Sequence, residues 1–200
     1  ESDLSTNTDV RLHNSVMSFG YALALAARNR DSLSVLDWGG GIGHYYLLAR
    51  ALLPEVEIEY HCKDVPLLAE EGARLLPQQH FHADDACLSR SYDFVLASTS
   101  LHYSEDWKAT FASLAAATQG CFYVAHLPCV MQAPSFVFVQ RPYRYGYDTE
   151  YLGWCLNRDE FLGRAEAAGL ALVREFVYGL EFTISGAPEP CSYRGYLFRP

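Results

Sequence analysis

Between Asp37 and Gly43 the chain reads D-W-G-G-G-I-G, an acid followed by Gly39, Gly40, Gly41 and Gly43. Glycines crowd like this where a backbone turns sharply and lets a ligand approach closely. Leu33 to Leu36 before them read as a short buried strand, and an apolar helix-like run follows. A helix start offers unpaired N–H groups and a partial positive charge. Strand, turn and helix therefore make a cradle for an anionic group. The spacing narrows the ligand. A dinucleotide fingerprint counted from Gly39 and Gly41 needs a third glycine at position 44, where His44 stands. A phosphate loop needs Lys followed by Ser or Thr, and none follows.

Further acids and histidines fall where other strands end. Asp64 stands 21 residues beyond Gly43. A carboxylate there can accept both hydroxyls of a ribose; the bland alternative is a turn Asp before Pro66. Asp84 and Asp85, with Ala86 beside them, follow a third short strand. Ser98 to Tyr103 follow a fourth and His126 a fifth. A histidine can move protons at neutral pH, so His102 and His126 are both candidate bases. His80 and His82 share one side of a strand, but no third ligand is evident and no metal is expected.

The elements that must position these residues alternate. Val10 to Arg30 is helical, with Val16, Phe19, Leu23 and Ala27 near one face. It could cover a ligand as a lid or simply pack on the sheet. After the glycine turn comes a helix from Tyr45 to Leu53, then a strand alternating from Val56 to Cys62. A helix from Leu67 to Leu76 precedes strands near His80–His82 and Tyr92–Ala97. Ser104 is placed to cap a helix that Gly120 ends, and Cys121 to Ala125 is the next strand. Alternation of this kind predicts a parallel sheet with helices on both faces. Residues 126–156 then lose any clean period. Asn157 and Glu160 resemble a capping box for a helix ending at Gly169. Strands over 170–178 and 193–198 close the chain as an antiparallel pair. The expected division is an N-terminal helical segment (1–32, its first residues frayed), a ligand-binding core (33–130), an insert (131–156) and a closing unit (157–200), all in one domain.

Composition sets bounds. The 200 residues are half hydrophobic and carry a net charge of −9, with no basic cluster beyond Arg141 and Arg144. That disfavours a nucleic-acid partner. No run of about 18 apolar residues is present to span a membrane. The six cysteines show no C-x-x-C pairing and read as small buried hydrophobes in a reducing cytoplasm. The chain begins at Glu1 rather than Met, which predicts residues upstream.

The run D-x-G-x-G-x-G at Asp37, Gly39, Gly41 and Gly43 resembles motif I of class I S-adenosylmethionine-dependent methyltransferases. D-V-P at Asp64 is similar to the D-L-P of small-molecule O-methyltransferases. L-H-Y-S-E-D-W from Leu101 partly resembles their L-H-D-W-S-D-E segment, whose His is the general base. V-L-D-W-G-G-G-I-G-H-Y-Y, H-C-K-D-V-P, Q-R-P-Y-R-Y-G-Y-D-T-E-Y and L-N-R-D-E-F look like one little-characterised bacterial methyltransferase family. Members accompany surface-polysaccharide or specialised-metabolite genes and carry a longer N-terminal part. The resemblance implies a Rossmann-like seven-stranded sheet whose last strand is inserted between neighbours.

It also implies S-adenosylmethionine as cofactor and S-adenosylhomocysteine as product. The glycine turn then suits the cofactor's carboxylate, Asp37 its ammonium and Asp64 its ribose. Asp84 or Asp85 suits the adenine amino group, with Ala86 beside the ring and Ser98 nearby. His102 is the expected base and His126 its rival. Tyr103 and the insert's Arg141, Tyr143, Arg144, Tyr145 and Tyr147 would hold the acceptor. The alternative is an insert that only covers the sheet. The expected reaction methylates a hydroxyl of a small molecule or glycan. N- or C-methylation, or a non-catalytic cofactor-binding subunit, are the alternatives. An NAD-linked oxidoreductase is disfavoured by His44.

Overall fold

The structure, a computed structural model, describes residues 9–146 and 148–200, the side chains of Arg144, Tyr145 and Leu180 excepted. The expected frayed stretch before Asp9 lies outside the described residues. Asp9 caps helix α1 (Val10–Ala26), its carboxylate accepting from the N–H groups of Arg11 and Leu12. Five strands follow in parallel: β1 (Ser32–Trp38), β2 (Glu57–Lys63), β3 (His80–His82), β4 (Tyr92–Ser98) and β5 (Thr118–Val130). They lie in the order β3-β2-β1-β4-β5. Helices α2 (His44–Leu52), α3 (Pro66–Leu75) and α4 (Trp107–Ala116) connect them. A hairpin of β6 (Phe136–Gln140) and β7 (Tyr151–Asn157), then α5 (Arg158–Ala167), leads to β8 (Ala171–Phe182) and β9 (Cys191–Arg199). β9 runs antiparallel between β5 and β8, which is the expected inserted last strand.

Strand period two builds two cores, one on each face of the sheet. Val95 and Ala97 of β4 join Phe122 and Val124 of β5 beneath Trp107, Phe111 and Phe161. The intervening Phe94, Leu96, Tyr123 and Ala125 pack with Phe19 and Leu23 of α1. Helices α4 and α5 therefore cover one face and α1 the other. Phe161 is fully buried, and its ring meets Trp107, Phe111, Tyr196 and Phe198. Phe161→Ala is expected to cost about 3–5 kcal/mol in urea unfolding, from lost burial and the cavity left behind. A loss under about 1 kcal/mol would mean that this core is not close-packed.

Several local expectations are corrected. Among the described residues, the β6–β7 hairpin adds two strands to the expected seven, so the sheet has nine. Asp106, not Ser104, caps α4 by accepting from the Ala109 N–H. Gly120 lies inside β5, where a Cβ would come within 2.2 Å of the Asp93 carbonyl oxygen. Strand β5 continues past Ala125 to Val130. Between Val124 and Leu127 it carries one extra residue relative to β9, a bulge that bends it. Asn157 caps α5, accepting from the N–H groups of Asp159 and Glu160, but Glu160 does not return the bond. Its carboxylate takes the Ser135 hydroxyl and the Lys108 ammonium instead. Among the described residues, no helix is long and apolar enough to cross a membrane.

Candidate active site

At the carboxyl end of β1 the chain enters the glycine turn. Gly39, Gly41 and Gly43 have φ of +73°, +61° and +92°. Gly39 is required twice over, by its left-handed backbone and because a Cβ would sit 2.3 Å from that of Ser100. At Gly41 a Cβ would meet nothing within 4 Å, so this part of the turn faces open space. α2 begins at His44, immediately beyond.

Two carboxylates flank the turn. Asp64 accepts from the Gly41 N–H at 2.8 Å and from the Val65 N–H at 2.7 Å. Each oxygen keeps a lone pair for a further donor. Asp37 is fully buried. Tyr60 donates to its Oδ2 at 2.5 Å, while Oδ1 has no partner. Burial pushes the Asp37 carboxyl up to about 7, against the lowering effect of the Tyr60 hydroxyl. An orphaned carboxylate oxygen under an open glycine turn fits a cationic amine, and Asp64 fits vicinal hydroxyls. The residues present thus fit S-adenosylmethionine. Asp84 caps a short 3-10 helix (Asp85–Ser89), its Oδ1 accepting from the Ala86 N–H at 3.0 Å. Asp85 instead faces Lys63, whose ammonium lies over the Trp38 ring.

The two histidines have different settings. His126 sits in the β5 bulge with φ +52°, outside ordinary strand geometry. Its Nε2 is 2.7 Å from the Ser15 hydroxyl of α1, and its Nδ1 is 3.5 Å from Ser98 Oγ. Ser98 Oγ in turn lies 2.8 Å from the Tyr45 hydroxyl. His126 stacks on Tyr178 at 4.3 Å. Both nitrogens face hydroxyls, an arrangement that ties α1, β5, β4 and α2 together. α1 is thus packed on the sheet and latched to it through Ser15. Sequence reasoning missed Ser15, Tyr45 and Tyr60, and held Ser100 only within the stretch 98–103. Tyr45 carried a signal, standing two residues after Gly43.

His102 lies in a 3-10 turn (Leu101–Tyr103) and is 2% exposed. Its Nδ1 is buried without a hydrogen-bond partner. Burial lowers its pKa to about 4, so the ring is neutral at pH 7. The ring lines a cavity of about 550 Å³ with Tyr103, Tyr151 and Trp154. Ser100, pressed against Gly39, donates to the Trp38 carbonyl at 2.6 Å. The segment carrying His102 therefore joins the glycine turn to this cavity.

Of the residues expected to hold an acceptor, Tyr103 lines the cavity. Its hydroxyl donates to Gln140 Oε1 at 2.8 Å. Arg141 and Tyr143 do not line it. Both donate to Glu150, at 2.6 and 2.9 Å, which spends the Arg141 charge locally. The side chains of Arg144 and Tyr145, and Tyr147 altogether, lie outside the described residues. His80 and His82 do have a third neighbour: His61 stacks on both. Glu59, His61 and His80 bring ligand atoms within 4.8 Å. The Arg90 guanidinium stands 3.0 Å from both His61 Nε2 and Glu59 Oε1, so two of the three donors face a cation already.

A family model of the methyltransferase domain matches residues 17–175. The chain belongs to this family, and its fold is that of the class I S-adenosylmethionine-dependent methyltransferases. No curated protein matches it by sequence. Among solved structures it is similar to a S-adenosylmethionine-dependent methyltransferase from Clostridium acetobutylicum. The TM-score is 0.60 at 12% identity, over 91% of this chain and 89% of that one. It is also similar to the O-methyltransferase of a Brevibacillus brevis polyketide multienzyme, solved with S-adenosylhomocysteine. There the TM-score is 0.64 at 12% identity, over 92% and 71%. A third is the 1,6-didemethyltoxoflavin-N1-methyltransferase of Burkholderia thailandensis, with a TM-score of 0.58 at 16% identity over 99% and 82%.

Proposed function

We propose that this protein is a cytoplasmic enzyme that methylates a hydroxyl oxygen of a small-molecule acceptor. The carrying observation is His102, a buried neutral imidazole with an unpaired Nδ1, in the segment shared by glycine turn and cavity. S-adenosylmethionine supplies the methyl group on a cationic sulfur and leaves as S-adenosylhomocysteine. The α2 start and the Gly39–Gly43 turn hold the cofactor's carboxylate. Asp37 faces its ammonium and Asp64 its ribose hydroxyls. Asp85 or Asp84 takes the adenine amino group, with Ala86 beside the ring. Tyr45 and Ser98 form the wall toward α1, and His126 holds that wall in place through Ser15 and Ser98.

The chain's remaining task is to align an acceptor oxygen and accept its proton. His102 takes that proton as the new C–O bond forms. N-methylation is the second reading, motivated by the neutral His102, because an uncharged amine needs no strong base. Turnover with methyl-labelled S-adenosylmethionine over paired hydroxyl and amine acceptors separates the two. Label is expected in the hydroxyl compounds. Label in the amines alone would overturn O-methylation.

A further inference from the structure

We propose that the acceptor is a flat, largely apolar ring compound carrying one hydroxyl and no anionic group, bound in the cavity between His102 and the β6–β7 hairpin. This rests on the methyl-transfer reading above and specifies its substrate.

The cavity, about 550 Å³, has the size of a small-molecule site. Its walls are Tyr103, Val137, Tyr151, Leu152 and Trp154, with His102 at its inner side. Val137 is 46% and Leu152 62% exposed, so apolar surface stands in water beside the His102 ring. Covering it is favourable, and an apolar ligand would do so.

The hairpin sequence explains the surface. F-V-F-V at 136–139 puts Phe136 and Phe138 against the cluster of Val130, Cys155 and Cys191, and leaves Val137 and Val139 outward. A strand turning valines to water would ordinarily carry polar residues at those positions.

The aromatic walls are held as faces rather than as hydrogen-bonding tips. Tyr103 and Tyr151 meet edge to face at 5.4 Å. The Tyr103 hydroxyl is taken by Gln140, and the Trp154 indole N–H donates to the Glu105 carbonyl at 3.3 Å. Such faces suit a planar ring.

Charge excludes other acceptors. Among the described residues lining the cavity, Glu105 is the one charged group, and no Lys or Arg is present. Among the described residues, Arg141 pairs with Glu150 and Lys108 with Glu160. A carboxylate or phosphate would enter without a partner and against a net charge of −9. Against the several hydroxyls of a sugar, the described lining sets mostly rings and aliphatic side chains, with Ser104 and Glu105 as its other polar groups. A hydroxyl on an aromatic ring also suits a weak base. Its pKa near 10, as in Tyr, is far below that of an alcohol, so less driving force is asked of a neutral imidazole.

The test uses the chain saturated with S-adenosylhomocysteine, the saturation itself checked by calorimetry. Naphthol, hydroxynaphthoate and methyl glucoside are titrated as probes, with binding read by calorimetry and tryptophan fluorescence. Naphthol is expected to bind, and hydroxynaphthoate to bind at least about tenfold more weakly. Methyl glucoside is expected not to bind. Leu152→Asp and, separately, Val137→Asp should each weaken naphthol at least about tenfold without changing S-adenosylhomocysteine affinity. Both positions are exposed, and thermal melting checks that each variant folds. No naphthol binding, binding that neither variant alters, or tighter binding of the sugar or the anion would overturn the proposal. Failure of S-adenosylhomocysteine to bind would instead strike the methyl-transfer reading beneath it.

Discussion

Replacing His102 by Ala is expected to lower the turnover rate roughly 10²–10⁴-fold, the usual worth of a positioned general base. Cofactor affinity should not change, because Ser100 rather than His102 touches the glycine turn. The pH dependence separates this role from a structural one. The His102 pKa lies near 4, so the ring stays in its proton-accepting form well below the ordinary histidine range. The acid limb of kcat should therefore fall toward pH 4 rather than near 6.5. The same depression has a consequence for stability. Between about 6.5 and 4 the unfolded chain binds the proton and the folded one does not, so folding stability contributed at this site is lost as pH falls through that window. Near-normal turnover of a folded His102→Ala protein would assign catalysis to alignment alone.

Asp37→Asn should separate stability from binding. Burial raises the Asp37 carboxyl from its ordinary 3.8 to about 7. The folded chain therefore holds a proton there that the unfolded chain has released. Stability is greatest below the ordinary carboxylate pKa, declines as pH rises from about 4 to about 7, and levels off above. Asn keeps the shape and an acceptor for the Tyr60 hydroxyl but never ionises. The variant should be more stable than the natural chain at pH 8, by a few kcal/mol at most, and nearly equal to it at pH 4. Its affinity for S-adenosylmethionine should fall at least about tenfold at pH 8, since the ammonium loses its anionic partner. The natural chain should bind the cofactor more tightly as pH climbs through 7, where Asp37 ionises. This limb belongs to kcat/KM for the donor and not to kcat, so it is distinguishable from that of His102. Thermal melts and calorimetry at the two pH values check both halves. An Asn variant that binds normally would remove Asp37 from the cofactor site.

Much of this architecture is legible in the sequence, because local chemistry and global fold agree from Leu33 to Leu101. The alternation of β2, the glycine turn and the acid at Asp64 each depend on neighbours within a few residues. What could not be read depends on distant contacts. Strand β5 looked finished at Ala125 because His126 and Pro128 are poor strand residues, yet a bulge and pairing with β9 carry it to Val130. The β6 and β7 strands were hidden because Phe136, Val137, Phe138 and Val139 are apolar on both faces, so no period shows. Arg141 of the insert looked available for a ligand until the fold brought Glu150 to it. Asp37 and His102 could be named from position alone. Their unpaired, buried state could not, since it is set by Tyr60 and by closure of the turn against Trp38.

Calorimetric titration of S-adenosylmethionine and of NAD into the natural chain, and into Asp64→Ala, addresses the glycine turn directly. The prediction is saturable binding of S-adenosylmethionine, no comparable binding of NAD, and at least about tenfold weaker S-adenosylmethionine binding once the Asp64 carboxylate is removed. Absence of S-adenosylmethionine binding by the folded chain, or tighter binding of NAD, would contradict it.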